Sequence, residues 1–452
     1  MTDCRFPISD FRLDPSRKII LHGHPASKWR CRRWIGLRYS KSFRRSQSAI
    51  GNRKLAIRFC LLTLAATSIP VIAQPPAKPV TTDGVRSALR RGMDFLLNNQ
   101  EANGAWGSQR NAGIGIDEFW SNPETHRSWQ VAVTGLGLLT MSEAGQSDAE
   151  ARAYLRGVEF LINNAASIKR PSEWDTDNTW AYVYALQALA HACTRTEPNA
   201  PNRERFREIG QAMIQKLDET QTPNGGWGYY DFEVYAHPGS WATSFMTAVA
   251  VLALYDAKDV GLTVDPKRLE AAARAVERCR LPNGAYTYSV DAIPSPGRME
   301  YINQVKGSLS RIPVCNLALL RAGRPVRQET LRAGLDQFFK EHKFLDIAFQ
   351  KPIPHETYYY NSGYFYFFGH YYAAQVIALL PKEDQDRYWP QLQEHIVKTQ
   401  ESDGAMWDYP MNSYHRPYGT AFSMMALHRS LPKPDVAPQR PGPESLQPVP
   451  KP

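Results

Sequence analysis

Copies of one short motif constrain this chain more than anything else in it. Gln221-Thr222-Pro223-Asn224-Gly225-Gly226-Trp227 closes one amphipathic run, and an apolar run opens some residues later. Gln100 to Trp106 repeats the Gln-x-x-x-Gly-x-Trp pattern through Gly104, and Arg280 to Tyr286 is a degenerate copy. Gln400 to Trp407, through Gly404, reads as a copy with one extra residue. The separations Trp106–Trp227 and Tyr286–Trp407 are twice the separation Trp227–Tyr286, give or take a few residues, so the unit is about 60 residues long. Trp174 stands where a hidden copy is expected.

Each copy has a local physical reason. Asn-Gly allows positive φ just past a helix end, where a Cβ is resisted. The Trp carries an indole to bury against a neighbouring helix pair, and the Gln amide can satisfy backbone left open at the helix terminus. The motif is a staple between helical hairpins and by itself carries no chemistry.

Alternating periodicity supplies six pairs of helices over residues 83–430, an amphipathic helix followed in each pair by a more evenly apolar one. The pairs are Val85–Asn99 with Arg127–Met141, Ala151–Asn164 with Thr179–Ala192, and Arg203–Glu219 with Ser240–Ala257. Pro266–Arg280 with Ile312–Arg321, Arg327–His342 with Tyr364–Leu380, and Asp384–Thr399 with Pro417–Ser430 complete them. The expectation is an all-α fold of concentric layers, with apolar helices inside and amphipathic helices outside.

Charge separates the ends from this body. The first 58 residues carry 15 Lys and Arg against 3 Asp and Glu, whereas the rest is slightly acidic, so the overall +10 belongs to a leader. No basic stripe remains to attract nucleic acid, and no such partner is expected. Leu55–Ala73 is an apolar segment behind Arg53 and Lys54, ending in small residues, as secretory signals do. Its apolar run falls short of a full membrane span. Residues 1–73 are therefore read as a basic leader with a signal peptide, 74–82 as a linker, and 431–452, with eight prolines, as a disordered tail. Export to the periplasm, the envelope or the medium follows. Cys193, Cys279 and Cys315 in the body are too few and too far apart for a disulfide framework.

The motif and its alternating helices resemble the prenyltransferase and squalene-cyclase repeat superfamily over residues 83–430. That resemblance implies an α/α toroid of six hairpins around an apolar cavity. Asp175-Thr176-Asp177-Asn178-Thr179-Trp180-Ala181 looks like the acidic motif of class II terpene cyclases, in which the residue matching Asp177 protonates an alkene. Asn178 replaces the last acid of that motif, and helix capping by Asp177 and Asp175 is the competing account. Protein prenyltransferases bind zinc on inner helices, and Cys315 and His370 match two of their ligands. Pro313 stands at the third ligand position, so no metal site and no cofactor is expected.

Aromatic residues crowd the apolar helices. Trp129, Trp180, Tyr184, Trp241, Phe245, Tyr364 and Tyr371 are candidates to line a cavity, where ring faces stabilise a carbocation, stack on sugars or simply fill space. Asp231, Glu233, His237, His355 and Glu356 lie in segments expected at its rim. Three functions remain open: an exported isoprenoid-binding cyclase using Asp177, a non-catalytic binding platform, and a glycan-active enzyme using rim carboxylates.

Overall fold

The computed structural model describes residues 80–107, 123–145, 147–170, 175, 177–196, 200–229, 239–291 and 301–432. The leader, Trp174, the rim residues Asp231, Glu233 and His237, and the proline-rich tail beyond Pro432 lie outside the described residues. Among the described residues no helix is long and apolar enough to cross a membrane.

Twelve long helices and one short one are described. They are α1 (Thr82–Asn98), α2 (Pro123–Ala144), α3 (Asp148–Asn164), α4 (Asn178–Thr194), α5 (Pro201–Thr220) and α6 (Ser244–Asp259). They continue with α7 (Pro266–Arg278), α8 (Arg311–Arg321), α9 (Gln328–Lys340), the short α10 (Lys343–Ala348), α11 (Tyr366–Ala378), α12 (Lys382–Val397) and α13 (His415–Ser430). The amphipathic helices begin on recognisable signals. Ser147 and Glu150 form a reciprocal capping box at α3, and Asp265 caps α7 ahead of Pro266.

Helices α2, α4, α6, α8, α11 and α13 are buried nearly all round, as a helix shielded on most sides must be. Each packs on the next, and α13 packs back on α2, so these six close a ring. Helices α1, α3, α5, α7, α9 and α12 bury one face each against it. The fold is the expected α/α toroid.

The pairing within it differs from the sequence expectation by one step. The tight pairs are an inner helix with the outer helix that follows it, such as α2 with α3 and α4 with α5. The connections from inner to outer helices are short and favour antiparallel neighbours, whereas those from outer to inner are long, and four of the six carry a copy of the motif. The last inner helix, α13, therefore packs on the first outer helix, α1. The two ends of the toroid close on each other. Thr140 Oγ1 donates to Ala421 O at 3.2 Å, and Arg429 makes a double ion pair with Glu143 at 3.0 and 2.5 Å.

The motif works between outer helices. Gln100 Nε2 donates to Gly104 O and, at 2.8 Å, to Ala153 O of α3; Gln221 Nε2 donates to Gly225 O and, at 3.0 Å, to Arg268 O of α7. Gly104 and Gly225 take φ +90° and +88°, each pressed on a carbonyl of the next outer helix. The Trp106 and Trp227 indoles each donate to a carbonyl ten residues back, Leu96 O and Leu217 O.

The copy at Gln400 has no extra residue. Met406 holds the buried position, its N–H donating to Thr420 Oγ1 as the Trp106 N–H donates to Thr134 Oγ1. Trp407 lies one place further on, half-buried, with its indole on Tyr409 O and the Arg416 guanidinium over its ring. A flexible thioether fills the slot of an indole, so chemical type misled where spacing did not.

Candidate functional site

The inner helices run the same way round the ring, and aromatic residues of their N-terminal turns meet at one end of the toroid. The aromatic residues singled out from the sequence sort by depth along this axis. Trp129, on α2, stacks on Tyr414 with ring centroids 4.7 Å apart and faces Trp180 at 6.2 Å. Trp180 stacks on Tyr184 at 5.6 Å. Phe245 meets Phe365 and Phe368 edge-on, and Trp241 and Tyr364 are half-buried near the rim. Deeper in, Phe368 touches Trp180 of α4, Phe245 of α6 and Phe422 of α13, so rings from opposite sides of the toroid meet on the axis. Tyr371 is deeper still, under the Arg429 guanidinium.

The acidic motif is at this convergent end. Asp177 precedes α4 with φ 68°, in the left-handed region that a residue with a Cβ rarely adopts, and its side chain makes no cap hydrogen bond. The carboxylate accepts instead from Trp129 Nε1 at 3.3 Å, and it lies near Tyr409, whose pKa is raised chiefly by burial and further by the neighbouring Tyr364 and Asp177. Capping alone does not account for Asp177. Asp175 is buried, with its carbonyl bonded by Arg170 Nε at 2.8 Å. Asn178, the departure from the acidic motif, donates to Ser128 Oγ at 3.1 Å and to Lys169 O at 2.9 Å. A carboxylate there could not donate either bond, so the amide has a structural reason to be present.

Sequence reasoning missed a second acid beside this one. Asp408 is fully buried, with Oδ2 accepting the Phe367 N–H at 3.1 Å at the start of α11. Its Oδ1 stands 3.7 Å from His415 Nδ1, and neither atom has a hydrogen-bond partner among the described residues. Burial raises the Asp408 pKa, opposed by His415 and by the Phe367 N–H. His415 packs against Trp129, Tyr409 and Tyr418, so one aromatic cluster carries Asp177 and the Asp408–His415 pair together. The signal was positional: Asp408 and His415 follow the sixth motif as His237 follows the third.

The rim residue His355 turns inward. Its Nδ1 lies 2.6 Å from Tyr360 O and its Nε2 3.0 Å from Tyr364 OH, and desolvation pushes its pKa down to about 4. Glu356 is exposed. Beneath Tyr288 sits Arg311, fully buried, bonded to the carbonyls of Tyr286 and Ile302 and with no carboxylate in ion-pair reach among the described residues. Cys315 and His370 are both fully buried on neighbouring inner helices. His370 spends its ring nitrogens on Tyr366 O and His342 and faces the outer layer, away from the axis.

No family model matches the chain. Among solved structures it is similar to a D-mannose isomerase at 12% identity, over 79% of this chain and 99% of that one, with a TM-score of 0.51. It is also similar to the type II terpene cyclase MstE from Scytonema (12% identity, 77% and 97% covered, TM-score 0.43). A third is an inactive variant of the α-1,6-mannanase of Salegentibacter sp. HEL1_6 in complex with α-1,6-mannotriose (11% identity, 76% and 98% covered, TM-score 0.45). At such identities the likeness is one of fold alone.

Proposed function

We propose that this chain is an exported acid–base enzyme of the α/α toroid class that takes an apolar, isoprenoid-like substrate, with Asp177 as its proton donor. The observation that carries this reading is the Asp177 carboxyl, turned away from its helix cap and held by Trp129 within a cluster of rings. In the proposed step the carboxylic acid O–H bond breaks and a C–H bond forms at one end of a C=C double bond. The positive charge left on the other carbon faces Trp180, Phe245 and Phe368, whose π-faces stabilise it. Loss of a proton from a neighbouring carbon restores neutrality, so substrate and product are isomers and no oxidant is needed. The Asp408–His415 pair, in the same aromatic cluster, is the group to accept that proton.

The experiment is to incubate the purified protein with linear polyprenes in D₂O and follow products by mass spectrometry. Deuterium incorporated into an isomerised product by the wild type and lost in Asp177→Asn is the expected result. Absence of both bound lipid and turnover in the wild type overturns the reading.

A second reading is a glycan-active enzyme. Two buried acids beside one aromatic platform favour it, because glycoside chemistry uses paired carboxyl groups and aromatic stacking. New reducing ends released from a polysaccharide panel, and abolished by Asp177→Asn and by Asp408→Asn alike, would select it over the first.

A further inference from the structure

The outer layer contains a group of side chains that the axial site does not use. His342 follows α9, Asp346 lies on α10 and His395 on α12, and one ligand atom from each lies within 4.8 Å of the others. We infer that His342, Asp346 and His395 form a binding site for a divalent transition metal of the zinc type, between α10 and α12 and distinct from the axial cluster.

Hydrogen-bond bookkeeping around His342 supports this. His370 is fully buried, and its Nδ1 lies 2.7 Å from Tyr366 O, which can only accept, so Nδ1 carries the proton. A buried imidazole with no carboxylate at hand is held neutral, which leaves His370 Nε2 as an acceptor. His342 Nε2, 3.0 Å away, must therefore donate to it. The remaining nitrogen, His342 Nδ1, faces Asp346 Oδ2 at 3.0 Å. A bare nitrogen against a carboxylate needs a cation between them, either a proton or a metal ion. The chain His342–His370–Tyr366 is the outer shell that a ligating histidine requires: one ring N–H anchored inward, the other nitrogen presented outward. Tyr366 OH, with one proton to give, lies 3.1 Å from the His395 carbonyl and 3.4 Å from Asp346 Oδ1.

Two histidines and a carboxylate are a donor set suited to zinc-type ions, with water completing the coordination. The His395 ring stacks on that of His342 with centroids 3.4 Å apart, so ligation requires the half-buried His395 to rotate its ring toward the ion. Asp346 is more than a third exposed, so an ion can enter from solvent. Lys398 Nζ lies 3.2 Å from Asp346 Oδ1 and 3.1 Å from His395 Nδ1, supplying positive charge at the same spot. Its side chain is nearly half exposed and can swing away when an ion takes that role.

The test uses the untagged full-length chain, stripped with chelator and titrated with Zn²⁺ by calorimetry and with Co²⁺ by visible absorption. One ion per chain is expected, with a zinc-induced rise in thermal midpoint. Asp346→Asn and His395→Ala, both at partly exposed positions, should each weaken binding by about 100-fold. Lys398→Met should tighten it by about tenfold, because it removes a competing cation. Asp177→Asn should bind as wild type does. Failure to bind, or binding that survives the Asp346→Asn/His395→Ala double variant, overturns the proposal. Lys398→Met guards against misfolding: weaker binding in that well-folded variant also overturns it.

Discussion

Gln400 Nε2 donates to Ala88 O at 2.9 Å across 312 positions of sequence, the same bond that Gln100 makes to Ala153 and Gln221 to Arg268. The staple between successive outer helices is thus reused to join the last to the first. Gln400→Ala removes this bond and the one to Gly404 O, at a cost of about 1–3 kcal/mol. Hydrogen exchange in α1 should accelerate while α5 stays protected. Equal acceleration in both helices would mean that Gln400 has no special part in closure.

The motif glycines are not equivalent. A Cβ on Gly404 would meet Arg91 O at 2.2 Å at φ +92°, whereas one on Gly284, at φ +84°, meets nothing nearer than Gln337 Oε1 at 3.6 Å. Gly284→Ala bears only the backbone strain, about 1 kcal/mol, and Gly404→Ala adds a backbone clash that brings its cost to about 3 kcal/mol or more. Urea unfolding of the two variants measures the difference.

Trp106 and Trp407 look alike in sequence and differ in burial. Trp106 is fully buried, wedged against Gly137 and Gly157, and its replacement by Ala should cost about 3–5 kcal/mol. Trp407 is half-buried, and its replacement should cost about 1 kcal/mol. Met406→Ala should be the more damaging change of that adjacent pair. Thermal midpoints of the three variants decide it.

The end of the toroid opposite the site holds a half-buried acid. Asp256, bonded by Gln187 Nε2 at 3.1 Å, has its pKa raised by burial from 3.8 to about 6. Between those values the folded chain binds more protons than the unfolded one, so this group's contribution to stability falls as pH rises through that range. The loss amounts to about 3 kcal/mol, complete above pH 6. Asp256→Asn should remove it, so that the variant gains on the wild type from pH 4 to pH 7 in unfolding experiments. Parallel pH profiles would refute the assignment.

Much of this was legible because it is local. Asn-Gly turns, capping signals and hydrophobic periodicity act over a few residues, and they specified helices, their inner or outer character and the recurrence of the staple. Asp177 was singled out through its likeness to the acidic cyclase motif, and Trp129, Trp180 and Phe245 through the aromatic density of the apolar helices. The step in helix pairing, the ring closure through Gln400 and the slot taken by Met406 were not, because each depends on which surface a residue meets across the toroid. The same holds for the Asp408–His415 pair and for the proton accounting that links His342 to His370. Asp408 and His415 are near neighbours in sequence, yet only the packed segment turns their side chains together; His342 and His370 stand 28 positions apart, on different layers. Composition and periodicity determine that a chain like this must wrap its apolar helices into a ring. Burial and hydrogen-bond geometry, which exist only once the ring has closed, decide which of its acids and histidines face one another.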